Sequence, residues 1–238
     1  MKNKFSNRYI ILYAAILVAV VAVVLSVTSE ALRSRREANV RNEKMQSMLA
    51  AIGVQCSLNN ANALYSKYFV EELAINSSGE VVAKFQPNAD VTAVERPFDI
   101  DVKTQQALAK EGKDCRLPLF RFSKDGTEGY VIPVSGTGLW GAIWGYVALD
   151  EDRTTILGVT FDHKSETPGL GAKITTGEFQ RQFVGKKIKD ADGKFVSVQV
   201  LKNADKNSPN EVDAISGATI TSSGVGQMLL ECLEPYAG

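Results

Sequence analysis

The chain has 238 residues, and setting aside its first stretch of about thirty, which does not read as globular core, leaves roughly 200 for one domain of ordinary size. Lys plus Arg equals Asp plus Glu at 27 each and no basic stripe stands out, so no nucleic-acid partner is expected. The three cysteines, Cys56, Cys115 and Cys232, are far apart without a C-x-x-C pair, and His163 is the single histidine. This chain alone therefore cannot build a zinc site or a four-cysteine iron–sulfur cluster, and no metal-binding residue is expected; any electrons it passes go through an organic cofactor.

From Tyr9 to Val27 the chain carries no charge. At about 1.5 Å per helical residue such a run spans the bilayer's hydrocarbon core. We read residues 1–8 as an N-terminal tail and 9–28 as a transmembrane helix. Lys2, Lys4 and Arg8 would suit a signal peptide, but the apolar run exceeds the usual h-region of about 7–15 residues and no convincing A-x-A site follows it. Arg33, Arg35, Arg36 and Arg41 follow the span closely, so counting positive charges does not decide its orientation. Ser29–Ala51 alternates acids and bases among strong helix formers, which predicts a solvated helical stalk over 29–55 continuing the anchor.

Asn62–Leu73 has a helical pattern, whereas Pro87–Arg121 yields no assignable element. Tyr130–Val134, Ala142–Leu149, Ile156–Phe161 and Phe195–Leu201 are rich in β-branched and aromatic residues between Gly, Asp and Asn turns, which predicts strands. Thr176–Gly185 reads as a short helix with Phe179 and Phe183 one turn apart. A last helix begins near Ser222, with Val225, Met228, Leu229, Cys232 and Leu233 on one face and Thr221, Ser222 and Ser223 as competent N-caps. The expected fold class is α+β: an N-terminal transmembrane helix, then one domain over 56–238 with a mainly antiparallel sheet and packed helices.

Three stretches carry candidate chemistry. Asp213-Ala-Ile-Ser-Gly-Ala-Thr-Ile-Thr-Ser222 precedes the last helix, whose first-turn N–H groups and dipole suit a phosphate, with Gly217 and Ala218 allowing close approach. An ordinary capped loop would use the same residue types. His163-Lys-Ser-Glu-Thr-Pro-Gly-Leu-Gly171 follows a strand, and Pro168-Gly169 marks a turn that can present backbone groups and the Thr167 hydroxyl to a ligand or simply connect two elements. Ser135-Gly-Thr-Gly-Leu-Trp-Gly141 is glycine-rich but is neither a P-loop nor a G-x-G-x-x-G fingerprint, and Trp140 suits stacking on a planar ring or a place in a core.

Taken together over about Gly129–Leu233, these stretches resemble the FMN-binding domain of the C subunit of sodium-translocating NADH:quinone reductases and of the related G subunit of Rnf complexes. The resemblance implies that Thr219, ending the motif that includes Asp213, Ser216, Gly217 and Ala218, accepts FMN as a phosphoester from a dedicated flavin transferase. It implies that Glu166, Thr167, Gly169, Leu170 and Gly171 lie against the flavin and that Gly138, Leu139 and Trp140 line its ring. It further implies a complex subunit that relays electrons between an iron centre and a flavin in neighbouring membrane subunits, with its domain in the periplasm of an inner membrane. NADH oxidation itself falls to another subunit, since no dinucleotide fingerprint is present. Nothing resembles a nucleophile–base pair or carboxylate dyad, so no catalytic residue is expected on this chain. Two alternatives stand beside this reading: an Rnf-type subunit working between ferredoxin and NAD, and a membrane-tethered sensing or scaffolding module without a redox flavin.

Overall fold

An uncharged run followed by strong helix formers produces one continuous helix, α1 (Asn7–Ala51), in the computed structural model, which describes residues 6–87 and 96–237. Residues 1–5 of the expected tail, 88–95 of the stretch without a pattern, and Gly238 lie outside the described residues. Two compact units divide at Glu43 and Lys44. In the first, the helix is exposed along its apolar span and is long and apolar enough to cross a membrane. Arg33 there bonds Glu37 at 2.9 Å, one turn on.

The second unit begins with the last turns of α1, and here the structure departs from a solvated stalk. Met45, Met48, Leu49 and Ala51 are buried. The first three follow an i, i+3, i+4 stripe that composition alone hides among charges, and that stripe is covered by the domain.

Six strands form one sheet in the order β2-β1-β3-β4-β5-β6, every pairing antiparallel. They are β1 (Phe69–Ile75), β2 (Val81–Phe85), β3 (Leu117–Lys124), β4 (Thr127–Thr137), β5 (Ala142–Asp150) and β6 (Ile156–His163). The helix expected over Asn62–Leu73 is real only as α2 (Ala61–Tyr68); the chain then turns extended as β1. Glu72 is the reason: a buried acid breaks the alternation that would have marked a strand. β3 lies in the stretch without a pattern and joins β4 through Asp125-Gly126, both at positive φ (50° and 83°), the primed turn that matches strand twist.

Each sheet face has its own core. On one, the end of α1, α2 and Phe98 pack against Phe120, Phe122, Val131 and Tyr146. Glu72 is buried there, accepting two bonds from Arg96 (Nε at 2.6 Å) and one from the Tyr65 hydroxyl (2.9 Å). On the other, α5 (Thr219–Leu233) lays Val225, Met228, Leu229 and Leu233 over Ile132, Val134 and Val147.

Shorter elements complete this second face. α3 (Val102–Lys110) is capped by Asp101, which accepts from Lys103 N. α4 (Gly177–Arg181) is capped by Thr176, and its Phe179 joins Phe161 and Phe183 with ring centroids 5.3–6.2 Å apart. The strand expected over Phe195–Leu201 is reduced to β7 (Gln199–Leu201), which pairs in parallel with β8 (Glu211–Asp213) apart from the main sheet. Ser197 at φ 60° interrupts the extended run, a conformation no continuous strand accommodates.

Candidate functional site

The last helix starts at Thr219, one turn earlier than its apolar stripe suggests, and the N-cap position is Ala218, which offers no side-chain bond. Thr221 and Ser222 are buried inside the first turns rather than serving as caps; Ser222 Oγ instead accepts Ile215 N at 3.0 Å and Thr221 turns to Glu166. The first-turn N–H groups thus keep neither a helical acceptor nor a side-chain cap. Thr219 is exposed at this end.

Glycines bring that helix end to the sheet. A Cβ at Gly224 would collide with the Thr137 carbonyl oxygen, and one at Gly136 would sit 2.7 Å from Met228 Cβ. Close packing of α5 on the end of β4 sets its first turn beside the turn from β4 to β5 and the loop that follows β6.

One carboxylate joins these three segments. Glu166, 4% exposed, accepts Trp140 N on Oε1 at 2.8 Å and the Thr221 hydroxyl on Oε2 at 2.6 Å. Its own N–H donates to His163 Nδ1 at 3.1 Å. The Ser165 hydroxyl donates to Trp140 O at 2.7 Å, and Gly138 N to Gly141 O at 2.8 Å, tightening the same turn. Gly138 and Gly171 lie so close to the two carboxylate oxygens that a Cβ on either would strike them.

Of the residues singled out from sequence, most meet here. Gly217, at φ 77°, would with a Cβ touch Leu170 Cδ2 at 3.0 Å, so the loop after β6 and the motif before α5 are in contact. Leu139, Trp140 and Leu170 are exposed on the segments that meet the start of α5, as is Ile220 next to Thr219. Thr167 holds the loop through its carbonyl, which accepts Leu170 N (3.1 Å) and Ala172 N (3.2 Å), and Gly169 turns it at φ 77°. Ser216 is exposed on the same loop as Gly217.

Asp213 is engaged elsewhere. Its Oδ1 accepts Ala204 N at 3.0 Å and its N–H donates to Gln182 Oε1 at 2.9 Å, so it braces the segment entering the motif. Sequence pattern marks Thr221 only as a cap; a second threonine two residues past Thr219 is the one signal of its part in the site. A cavity of about 550 Å³ borders the motif on the side of Asp213, Ile215 and Ser216, and one of about 630 Å³ opens between Gln46, Ala50, Trp144 and His163. Thr219, Leu139, Trp140 and Leu170 line neither, and all four are exposed.

Residues 138–234, which take in the His163–Gly171 and Asp213–Ser222 segments whole and the glycine-rich one from Gly138, match the family of FMN-binding domains. The C subunit of the Na(+)-translocating NADH-quinone reductase from Neisseria meningitidis serogroup B is 31% identical over 230 residues, 94% of this chain and 88% of that protein. The corresponding protein of Vibrio parahaemolyticus is 28% identical over 87% of this chain and 82% of its own length. Among solved structures, the C subunit from Parabacteroides distasonis superposes with a TM-score of 0.74 at 38% identity, covering 86% of this chain and 94% of that one. Shewanella oneidensis NqrC gives 0.65 at 29%, covering 83% and 93%. With identity of this order over nearly the whole chain, the chain belongs to the family of Na(+)-translocating NADH-quinone reductase C subunits.

Proposed function

We propose that this chain carries FMN as a covalent phosphoester on Thr219 and relays electrons as a membrane-anchored subunit of a sodium-translocating NADH:quinone reductase. The observation that carries the reading is exposed Thr219 at a helix start without a side-chain cap, on a segment that meets the two loops bearing exposed Leu139, Trp140 and Leu170. The residues fit the group. First-turn N–H groups of α5 would bind the phosphate, aided by the helix dipole. Gly217 leaves the approach open, and the Leu and Trp side chains offer an apolar surface to a planar ring. Bound flavin supplies one-electron chemistry; the chain holds and orients it.

In this reading the donor and acceptor are an iron centre and a flavin in neighbouring membrane subunits, a flavin transferase loads Thr219, and lipid surrounds the apolar span of α1. The family resemblance supports a periplasmic domain. Cys56 tests that side: it is the most accessible of the three thiols, whereas Cys115 and Cys232 are buried, and burial pushes the Cys232 thiol up to about 11. A membrane-impermeant maleimide should label Cys56 in sealed cells; labelling only after lysis overturns the orientation.

The attachment is tested by co-expression with the flavin transferase and ultraviolet illumination of a denaturing gel. The wild-type band should fluoresce and Thr219→Ala should be dark. Fluorescence surviving in Thr219→Ala moves the attachment elsewhere; darkness in both favours a module without flavin.

A further inference from the structure

Glu166 is buried in a loop whose neighbours Ser165, Thr167, Pro168, Gly169 and Leu170 are exposed. A carboxylate in such a place needs a reason, because burial of a charge is unfavourable unless its lone pairs are satisfied. Both oxygens are satisfied from within the protein, one by the Trp140 N–H and one by the Thr221 hydroxyl. Gly138 and Gly171 close over them with no room for a Cβ. No ion pair to Glu166 occurs among the described residues. With each oxygen bonded to a donor of the protein and a glycine packed against it, the group joins the β4–β5 turn, the loop after β6 and the first turn of α5.

We infer that Glu166 is a positioning residue that fastens Trp140 and the first turn of α5 into one frame before any flavin arrives. Resting on the function proposed above, the frame sets where the ring surface stands relative to Thr219, and Glu166 itself makes no flavin contact. Two acceptor oxygens on one planar group meet two donors on different segments, which a shorter Asp cannot span and an Ala cannot replace. A Gln can: its carbonyl oxygen accepts the fixed Trp140 N–H, and the Thr221 hydroxyl, which rotates freely, accepts from the amide instead of donating. Position and charge are thereby separable.

The test uses the full chain with 15N-tryptophan. Its two tryptophans give two backbone amide signals, Trp140 at the fastened turn and Trp144 within β5 as an internal control. In flavin-free Thr219→Ala protein, Glu166→Ala should speed hydrogen exchange at Trp140 by about tenfold or more while leaving Trp144 unchanged, and Glu166→Gln should stay near the parent. In flavin-loaded protein with Thr219 intact, the visible circular dichroism of the flavin should change in Glu166→Ala and be retained in Glu166→Gln, with gel fluorescence present in both. Unchanged Trp140 exchange in Glu166→Ala overturns the inference. So does Glu166→Gln behaving like Glu166→Ala, which would assign the effect to charge, or faster exchange at both tryptophans, which would make it global loosening. Should wild-type protein take no flavin, the functional reading fails while the exchange arm still decides the fastening.

Discussion

Glu72 and Glu166 are both buried acids in the same domain, one on each side of the sheet, and they are satisfied in opposite ways. Glu72 sits in the core beside α2 with an arginine across from it and a tyrosine hydroxyl completing the set. Glu166 sits at the surface cluster and is held by neutral donors alone. Charge is cancelled where the protein only needs to hold together. At the site the acid serves as a two-handed acceptor, because the donors it must gather are a backbone N–H and a hydroxyl. Buried acids thus say little by themselves; their partners separate a stabilising pair from a device that arranges neighbours.

The sharpest way to break this contrast is to remove the cation. Arg96→Leu leaves Glu72 buried opposite an apolar chain and should lower stability by about 3–5 kcal/mol in denaturant unfolding of the full chain, whereas the double change with Glu72→Leu should recover most of that loss. If the double variant is no more stable than the single, the pair is not what the Glu72 site depends on. A smaller effect is expected on the other face. Gly224→Ala places a methyl against the Thr137 carbonyl and should cost about 1–3 kcal/mol as α5 shifts off β4. Flavin fluorescence on gels should fall with it, since Thr219 moves with the helix; full fluorescence at reduced stability would show that the site tolerates the displacement.

Periodic features were legible in the sequence. The uncharged run of α1, the three strands β4 to β6 and the stripe of α5 all follow a single period for long enough to be read, and the motif ending at Thr219 stands out by its small residues. What escaped depends on partners distant in the chain. β1 was hidden by Glu72, which reads as solvent-facing until Arg96 is known to cover it. β3 carries Pro118 and two basic residues, and only its pairing with β4 across the Asp125-Gly126 turn gives it away. The buried end of α1 was masked by the charges preceding it. At the site, Thr221 resembled a cap because its actual partner lies 55 positions earlier.

The sheet itself has an order of assembly written into it. Strands β3 to β6 are a run of adjacent hairpins, each closing only a short loop, while α5 must return to β4 across β7, β8 and everything between. Short loops close at lower entropic cost than long ones, so the scaffold that holds Trp140 and Glu166 can stand before its last member docks. Thr219 and Thr221 belong to that last member. Any modification that needs Thr219 seated against that scaffold therefore has to wait for α5 to dock, and a chain bearing such a mark is one whose tertiary structure was already closed.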